Sequence, residues 1–167
     1  MFYTSKDENL IFVAKAVLKK DASRPQLGMI WSTGSEIVAT DGHRLHYYKS
    51  DLLPVGYYEI KKLTKTTIEL LLYAGDDMPD FPDFARIMPD SSKALPFKTH
   101  RQSSDQISTV GKYAEIIRAI EVNTIDYKFF EDANTATMCS FYAPDGTSPV
   151  LLVGLDVKAV IMPYRYL

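Results

Sequence analysis

Asp41, His43 and His46 are the residues of this chain whose types and spacing first point to chemistry. Imidazole and carboxylate together ligate zinc, and a carboxylate beside a histidine can orient it for acid–base work. They belong to a stretch over residues 37–45, IVATDGHRL, that begins as a strand, with Ile37 and Ala39 on one face and Val38 and Thr40 on the other. Strand alternation puts Asp41 and His43 on one side and turns His46 to the other. His100 sits in a separate polar stretch, so no ligand set is complete and no metal or other cofactor is expected. No nucleophile elbow or paired carboxylates accompany Asp41 and His43, and the eight glycines are too scattered for a phosphate loop. A small hydrolase built on Asp41 and His43 stays open as an alternative. The residues favour a non-enzymatic protein. Asp41-Gly42 breaks the strand, which resumes through residues 43–48, and a bend there presents Thr40, His43 and Arg44 together at a rim.

The chain that positions this rim has 167 residues, 46% hydrophobic and 24% charged, enough for one domain with its own core. A formal net charge of −2 gives no overall basic field, so any DNA contact needs a local cluster of Lys and Arg. Its single cysteine, Cys139, excludes an internal disulfide and a cysteine-based zinc site. The sequence shows no signal peptide and no apolar run of membrane-spanning length. The expectation is a soluble cytoplasmic protein with no membrane partner, in the host cytoplasm if its origin is viral.

A short strand over residues 1–4 leads to Ser5 and Glu8, which have capping-box spacing. The helix that follows runs to about Lys20, with Leu10, Ile11, Ala14, Val17 and Leu18 as its apolar stripe. Lys15 and Lys19 lie one turn apart on another face, which by itself reads first as a solvated face. Strands are expected at 29–33, at 37–40 with 43–48, and as a hairpin of 57–63 and 66–73 around Thr64-Lys65, with helix the alternative for the second run. Residues 74–89 hold three prolines and four aspartates and read as a shaped connector.

The second half repeats this outline. A short strand at 106–108 precedes a helix to Glu121, capped by Ser108 or Thr109. Tyr113, Ile116, Ile117 and Ile120 form its stripe, with Lys112, Glu115 and Arg118 outside. Strands follow at 124–131, at 135–142 and from Pro149 to the end. One domain over 1–167 is expected, with halves at about 1–89 and 105–167 joined by a polar linker at about 90–104. The fold class is α+β: two strand–helix–strands units, with helices on one face of curved, mostly antiparallel sheets.

The terminal VIMPYRYL ends an apolar strand with Met, Pro and aromatics, which can line an adaptable groove or simply finish a strand. Taken with ATDGHRL (39–45) and FPDFARIMP (81–89), the terminal MPYRYL makes the chain resemble the bacterial DNA polymerase III beta sliding clamp family. The three segments occur in the family's order. The resemblance implies a DNA-clamp-like fold and a processivity factor that encircles duplex DNA without reading its sequence. It also implies an oligomeric ring that meets DNA polymerase and clamp loader through their clamp-binding peptides.

By the same resemblance, Thr40, Gly42, His43, Arg44 and Leu45 match the first wall of the family's peptide pocket. Pro82, Arg86 and Ile87 match its connector positions, and Met162, Pro163, Tyr164, Arg165 and Leu167 its terminal wall. Lys15, Lys19, Lys20, Lys112 and Arg118 are the candidates for facing DNA. Family clamps carry three similar domains per chain in a ring of six, so a one-domain chain needs about six copies and a longer sheet fewer. Tyr166 is extra between Arg165 and Leu167. A clamp-derived peptide-binding module that does not encircle DNA is the alternative within the resemblance.

Overall fold

A computed structural model describes residues 1–19, 23–98, 109–121 and 124–164. The chain forms two compact units, Met1–Phe84 and Ala85–Leu167. Lys20, Arg165, Leu167 and the strand expected at 106–108 lie outside the described residues. The α+β class with antiparallel sheets is the one found.

In the first unit, strands β1 (Phe2–Ser5), β2 (Ile30–Ser32), β3 (Glu36–Thr40), β4 (Arg44–Lys49), β5 (Gly56–Leu63) and β6 (Ile68–Leu72) pair antiparallel in the order β1-β6-β5-β2-β3-β4. The register puts Ile30 opposite Tyr58 and Ala39 opposite His46, so these residues share one face. Helix α1 (Glu8–Ala14) packs on that face, and its Leu10, Ile11, Phe12, Val13 and Ala14 are all buried. The expected β5–β6 hairpin is present. Thr64 Oγ1 shapes its tip by accepting from the amides of Thr66 and Thr67 at 3.3 and 2.9 Å.

Two details of α1 differ from expectation. Its N-cap is Asp7, whose Oδ1 accepts from Leu10 N at 2.8 Å, while Ser5 Oγ accepts from Asp7 N one step earlier. A carboxylate at the cap also suits the positive end of the helix. The helix stops at Ala14 instead of Lys20, because the amides of Lys15, Ala16 and Val17 bond three residues back and tighten the chain. Leu18 N then donates to Leu27 O, which draws the chain away toward β2.

In the second unit, strands β7 (Leu95–Pro96), β8 (Ser140–Tyr142), β9 (Val150–Val153) and β10 (Val157–Ile161) pair antiparallel in the order β10-β9-β8-β7. Helix α2 (Thr109–Ile120) and helix α3 (Tyr127–Ala133) pack together, and α3 lies against β10. The strand expected over 124–131 is therefore wrong: Asp126 caps α3 by accepting from Lys128 N and Phe129 N, and Phe130 and Ala133 are its buried side. The single strand expected from Pro149 onward is two strands among the described residues, because Gly154 N closes on Val157 O with Asp156 at φ 57°. The strand expected over 135–142 shrinks to Ser140–Tyr142, since Met138 N turns back to Thr135 O.

Tyr58 is fully buried and donates its hydroxyl to Pro54 O at 2.9 Å. Burial, reinforced by Tyr3, raises its pKa from 10.0 to about 12. A raised folded-state pKa adds stability that is complete below pH 10 and lost as pH rises toward 12. The stability difference between the parent and Tyr58→Phe should thus shrink by up to about 2 kcal/mol over that window. Urea titrations at stepped alkaline pH measure it, and a constant difference would refute it.

Candidate functional site

The rim between β3 and β4 is a turn whose side chains close on its own backbone. Thr40 Oγ1 donates to Arg44 O at 2.6 Å and accepts from Gly42 N at 3.1 Å. Asp41 Oδ1 accepts from the amides of His43 and Arg44 at 2.9 and 3.0 Å, and Oδ2 accepts from Arg44 Nε at 3.0 Å. Both carboxylate oxygens are thereby committed to the turn. Gly42 sits at φ +89°, and a Cβ there would stand 3.3 Å from Arg24 Nη1, so this corner requires glycine.

Arg44 reaches beyond the turn. Its Nη2 donates to Lys15 O at 2.6 Å, where α1 has just run out of helical partners. His46 is fully buried on the α1 face and bonds Phe12 O through Nδ1 at 2.7 Å, as its opposite orientation from His43 implied. Thr40 and Leu45 are 5% and 1% exposed, so they stand behind the surface; His43 is exposed on it. Among the described residues, no group of three or more His, Cys, Asp or Glu side chains is placed to hold a metal, and no helix is long and apolar enough to cross a membrane.

The sheet face opposite α1 carries a feature that sequence reasoning missed. Trp31 lies opposite both Val38 and Tyr57, and Val38 opposite Tyr47, so all four share that face with Leu45. Trp31 and Tyr57 rings meet at 4.6 Å, Phe81 joins both at about 6.5 Å, and Phe84 links Phe81 to Tyr47. Tyr57 donates its hydroxyl to Pro79 O at 2.8 Å. Burial raises the pKa of Tyr57, with the negative charge of Asp80 adding to it. The proline-rich connector is thus laid onto the sheet by aromatic contacts and leaves Pro82 exposed. Phe81 and Phe84 at i,i+3 spacing were the available signal.

In the second unit, Arg86, the last residue of the connector's 3-10 turn at Phe84–Arg86, and Ile87 just after it are exposed. The end of β10 exposes Met162, buries Pro163 and exposes Tyr164. Tyr164 N donates to Thr124 O at 2.6 Å, and its hydroxyl donates to Asp126 Oδ2. That bond raises the tyrosine's pKa, and partial burial adds to the shift. The terminal segment is therefore fastened to the start of α3 through Asp126, which serves as helix cap and tyrosine acceptor at once.

The basic candidates divide. Lys15, Lys19 and Arg118 are exposed. Lys112, expected outside, is 5% exposed, with its ammonium donating to Met138 O at 2.5 Å and Asn134 Oδ1 at 3.2 Å beneath the ring of Phe97. Burial lowers its pKa, and the amine is turned inward. Its spacing explains this: positions 112, 116 and 120 are one helix row, and Ile116 and Ile120 define the buried side.

No family model and no curated protein sequence matches the chain. Solved structures do. The fold is that of the bacterial DNA polymerase III beta sliding clamps. A DNA polymerase sliding clamp from Pseudomonas aeruginosa superposes with a TM-score of 0.56 at 15% identity, covering 99% of this chain and 67% of that one. The DNA polymerase III beta subunit from Thermotoga maritima gives 0.55 at 13% identity, covering 99% of this chain and 66% of that one. A sliding clamp from Bartonella birtlesii, solved bound to griselimycin, gives 0.56 at 14%, with 99% and 66% covered. This chain spans about two thirds of each, and at such identity the likeness is one of fold.

Arg44 should be worth more to the rim than its charge alone. Lysine at this position cannot bond Asp41 and Lys15 O together, because it lacks the planar fork. Arg44→Lys is expected to cost about 0.5–1.5 kcal/mol, the net worth of one hydrogen bond, because water can replace the bond at the exposed Lys15 carbonyl. Urea unfolding of the two proteins measures the cost; equal midpoints would show the bonds to be dispensable.

Proposed function

We propose that this chain is a DNA sliding clamp: a non-catalytic processivity factor that encircles duplex DNA as a ring of several copies and tethers a polymerase. The single observation that carries this reading is the clamp-fold likeness over 99% of the chain. The mechanism is retention by topology, with a peptide-binding surface holding the polymerase, or the clamp loader, at high effective concentration. Lys15, Lys19 and Arg118 supply loose phosphate contacts that permit sliding.

Counting each of the two compact units as one of the six domains in the ring that the resemblance implies, the proposed ring has three copies. Strand β1 ends the first unit's sheet and β7 the second's, with Phe2 56% and Leu95 69% exposed on them. Head-to-tail pairing of β1 from one copy with β7 from the next covers both edges and closes by rotation. In the peptide-binding role, His43 and Pro82 of the first unit and Arg86, Ile87, Met162 and Tyr164 of the second are the accessible positions. Leu45 in the first unit and Pro163 in the second are buried, and each backs the exposed residues of its own unit.

Native mass at micromolar concentration should be near 57 kDa, three times the 18.9 kDa chain, and Leu95→Arg should reduce it to one chain. A strict monomer at high micromolar concentration would favour the peptide-binding module that does not encircle DNA. Separately, a peptide with a glutamine and a hydrophobic-aromatic tail should bind the parent, and Met162→Ala should weaken it by about 1–3 kcal/mol. Fluorescence anisotropy reads this, and unchanged affinity would remove Met162 from the surface.

A further inference from the structure

We infer that the groove between the end of α1 and the tip of the β5–β6 hairpin seats the sugar–phosphate backbone of duplex DNA. The inference deepens the sliding-clamp reading and rests on it. The groove encloses about 550 Å³ and is lined by Ile11, Lys15, Leu63, Thr64 and Lys65, with no carboxylate in its lining. Its two ammonium groups come from elements far apart in sequence, one at the helix end and one at the hairpin tip.

Neighbouring lysines show how the pair differs. Lys61 is held by Glu59 at 2.6 Å and Lys62 by Glu69 at 3.6 Å. Among the described residues, neither Lys15 nor Lys65 is in an ion pair. Lys65 projects from a turn whose backbone is fixed by four hydrogen bonds centred on Thr64. At the opposite wall, a helix end would ordinarily present partial negative charge to an anion. Here Arg44 donates to Lys15 O and places a guanidinium behind that end. Arg44 is itself paired with Asp41 at 3.0 Å, so the bond to Lys15 O caps the helix end and the net positive charge of this wall is the Lys15 ammonium.

The floor decides the ligand class. Ile11 and Leu63 give an apolar base under a cationic rim, and Leu63 is 41% exposed. A nucleic-acid backbone alternates anionic phosphate with the largely apolar edge of deoxyribose, which matches this order. An acidic peptide carries its charge on flexible arms and gains nothing from the apolar floor. Lys65, Thr64 and Leu63 thus extend the DNA surface from helix α1 onto a β-hairpin.

The test is anisotropy of a labelled duplex with the full chain, across salt concentrations. Lys15→Gln and Lys65→Gln should each make the dependence of log affinity on log salt shallower by about 0.9, and weaken binding about tenfold near ~50 mM salt. Leu63→Gln should weaken binding with the slope unchanged, and Lys49→Gln, at an exposed position outside the groove, should change neither. Unaltered slopes in both lysine variants, with the parent still binding, would overturn the groove alone. A parent that does not bind the open duplex at any salt would overturn this inference, while the topological reading is judged separately by the mass of the ring. Displacement of the duplex by a polyglutamate peptide of equal charge, at equal affinity and with the same dependence on Lys65, would make it a peptide site instead.

Discussion

Three alternate residues of one strand hold the first unit's helix in place. Arg44, His46 and Tyr48 project from the same face of β4 and meet α1 at its end, middle and start. Arg44 bonds Lys15 O, His46 bonds Phe12 O and stacks on its ring at 4.3 Å and 6°, and Tyr48 donates to the capping Asp7 at 3.3 Å. A seven-residue helix is too short to persist in water on its own propensity. Its existence therefore depends on this clasp. With the carbonyl able only to accept, Nδ1 of His46 must carry the hydrogen, which fixes the orientation of a fully buried imidazole.

The clasp also explains why the rim residues divide as they do. Period-two alternation gives every other residue of β4 to the helix and leaves Leu45 and Tyr47 to the opposite face. That second face receives the aromatic connector, so one six-residue strand organises both sides of the sheet. Histidine and arginine in the GHRL sequence consequently have different work. Arg44 and His46 secure architecture, while His43, at the turn, is free of the sheet's alternation and open to solvent. Asp41 belongs with the architecture, since the turn consumes its carboxylate.

The strands of the first unit and the sheet class were legible because alternation and turn residues agree there. Helix α1 was legible in position but not in length: Val17 and Leu18 continue the helical spacing, and only the bond from Leu18 N to Leu27 O reveals that the chain has left. Helix α3 was hidden by composition, since Tyr127, Phe129 and Phe130 favour strands until Asp126 is recognised as a cap. Lys112 was misplaced because its charge outweighed its spacing. A lysine is rarely buried, yet this one finds an amide oxygen and a carbonyl at the two ends of the short turn that follows α3. The placing of Lys15 and Lys65 in the lining of one groove has no trace in local pattern, because residues fifty positions apart share no periodicity.

The chain has one tryptophan, and it lies half-buried in the layer where the connector meets the sheet. Trp31 is within 6.5 Å of Phe81 and 4.6 Å of Tyr57, so its indole samples the seam between strand and connector. Lifting of that seam exposes the indole to water and moves its emission to longer wavelength, while global unfolding adds the loss of energy transfer from the adjacent tyrosine. The protein consequently carries an intrinsic optical gauge, in which a red shift without loss of tyrosine transfer marks a peeled connector on an otherwise intact sheet.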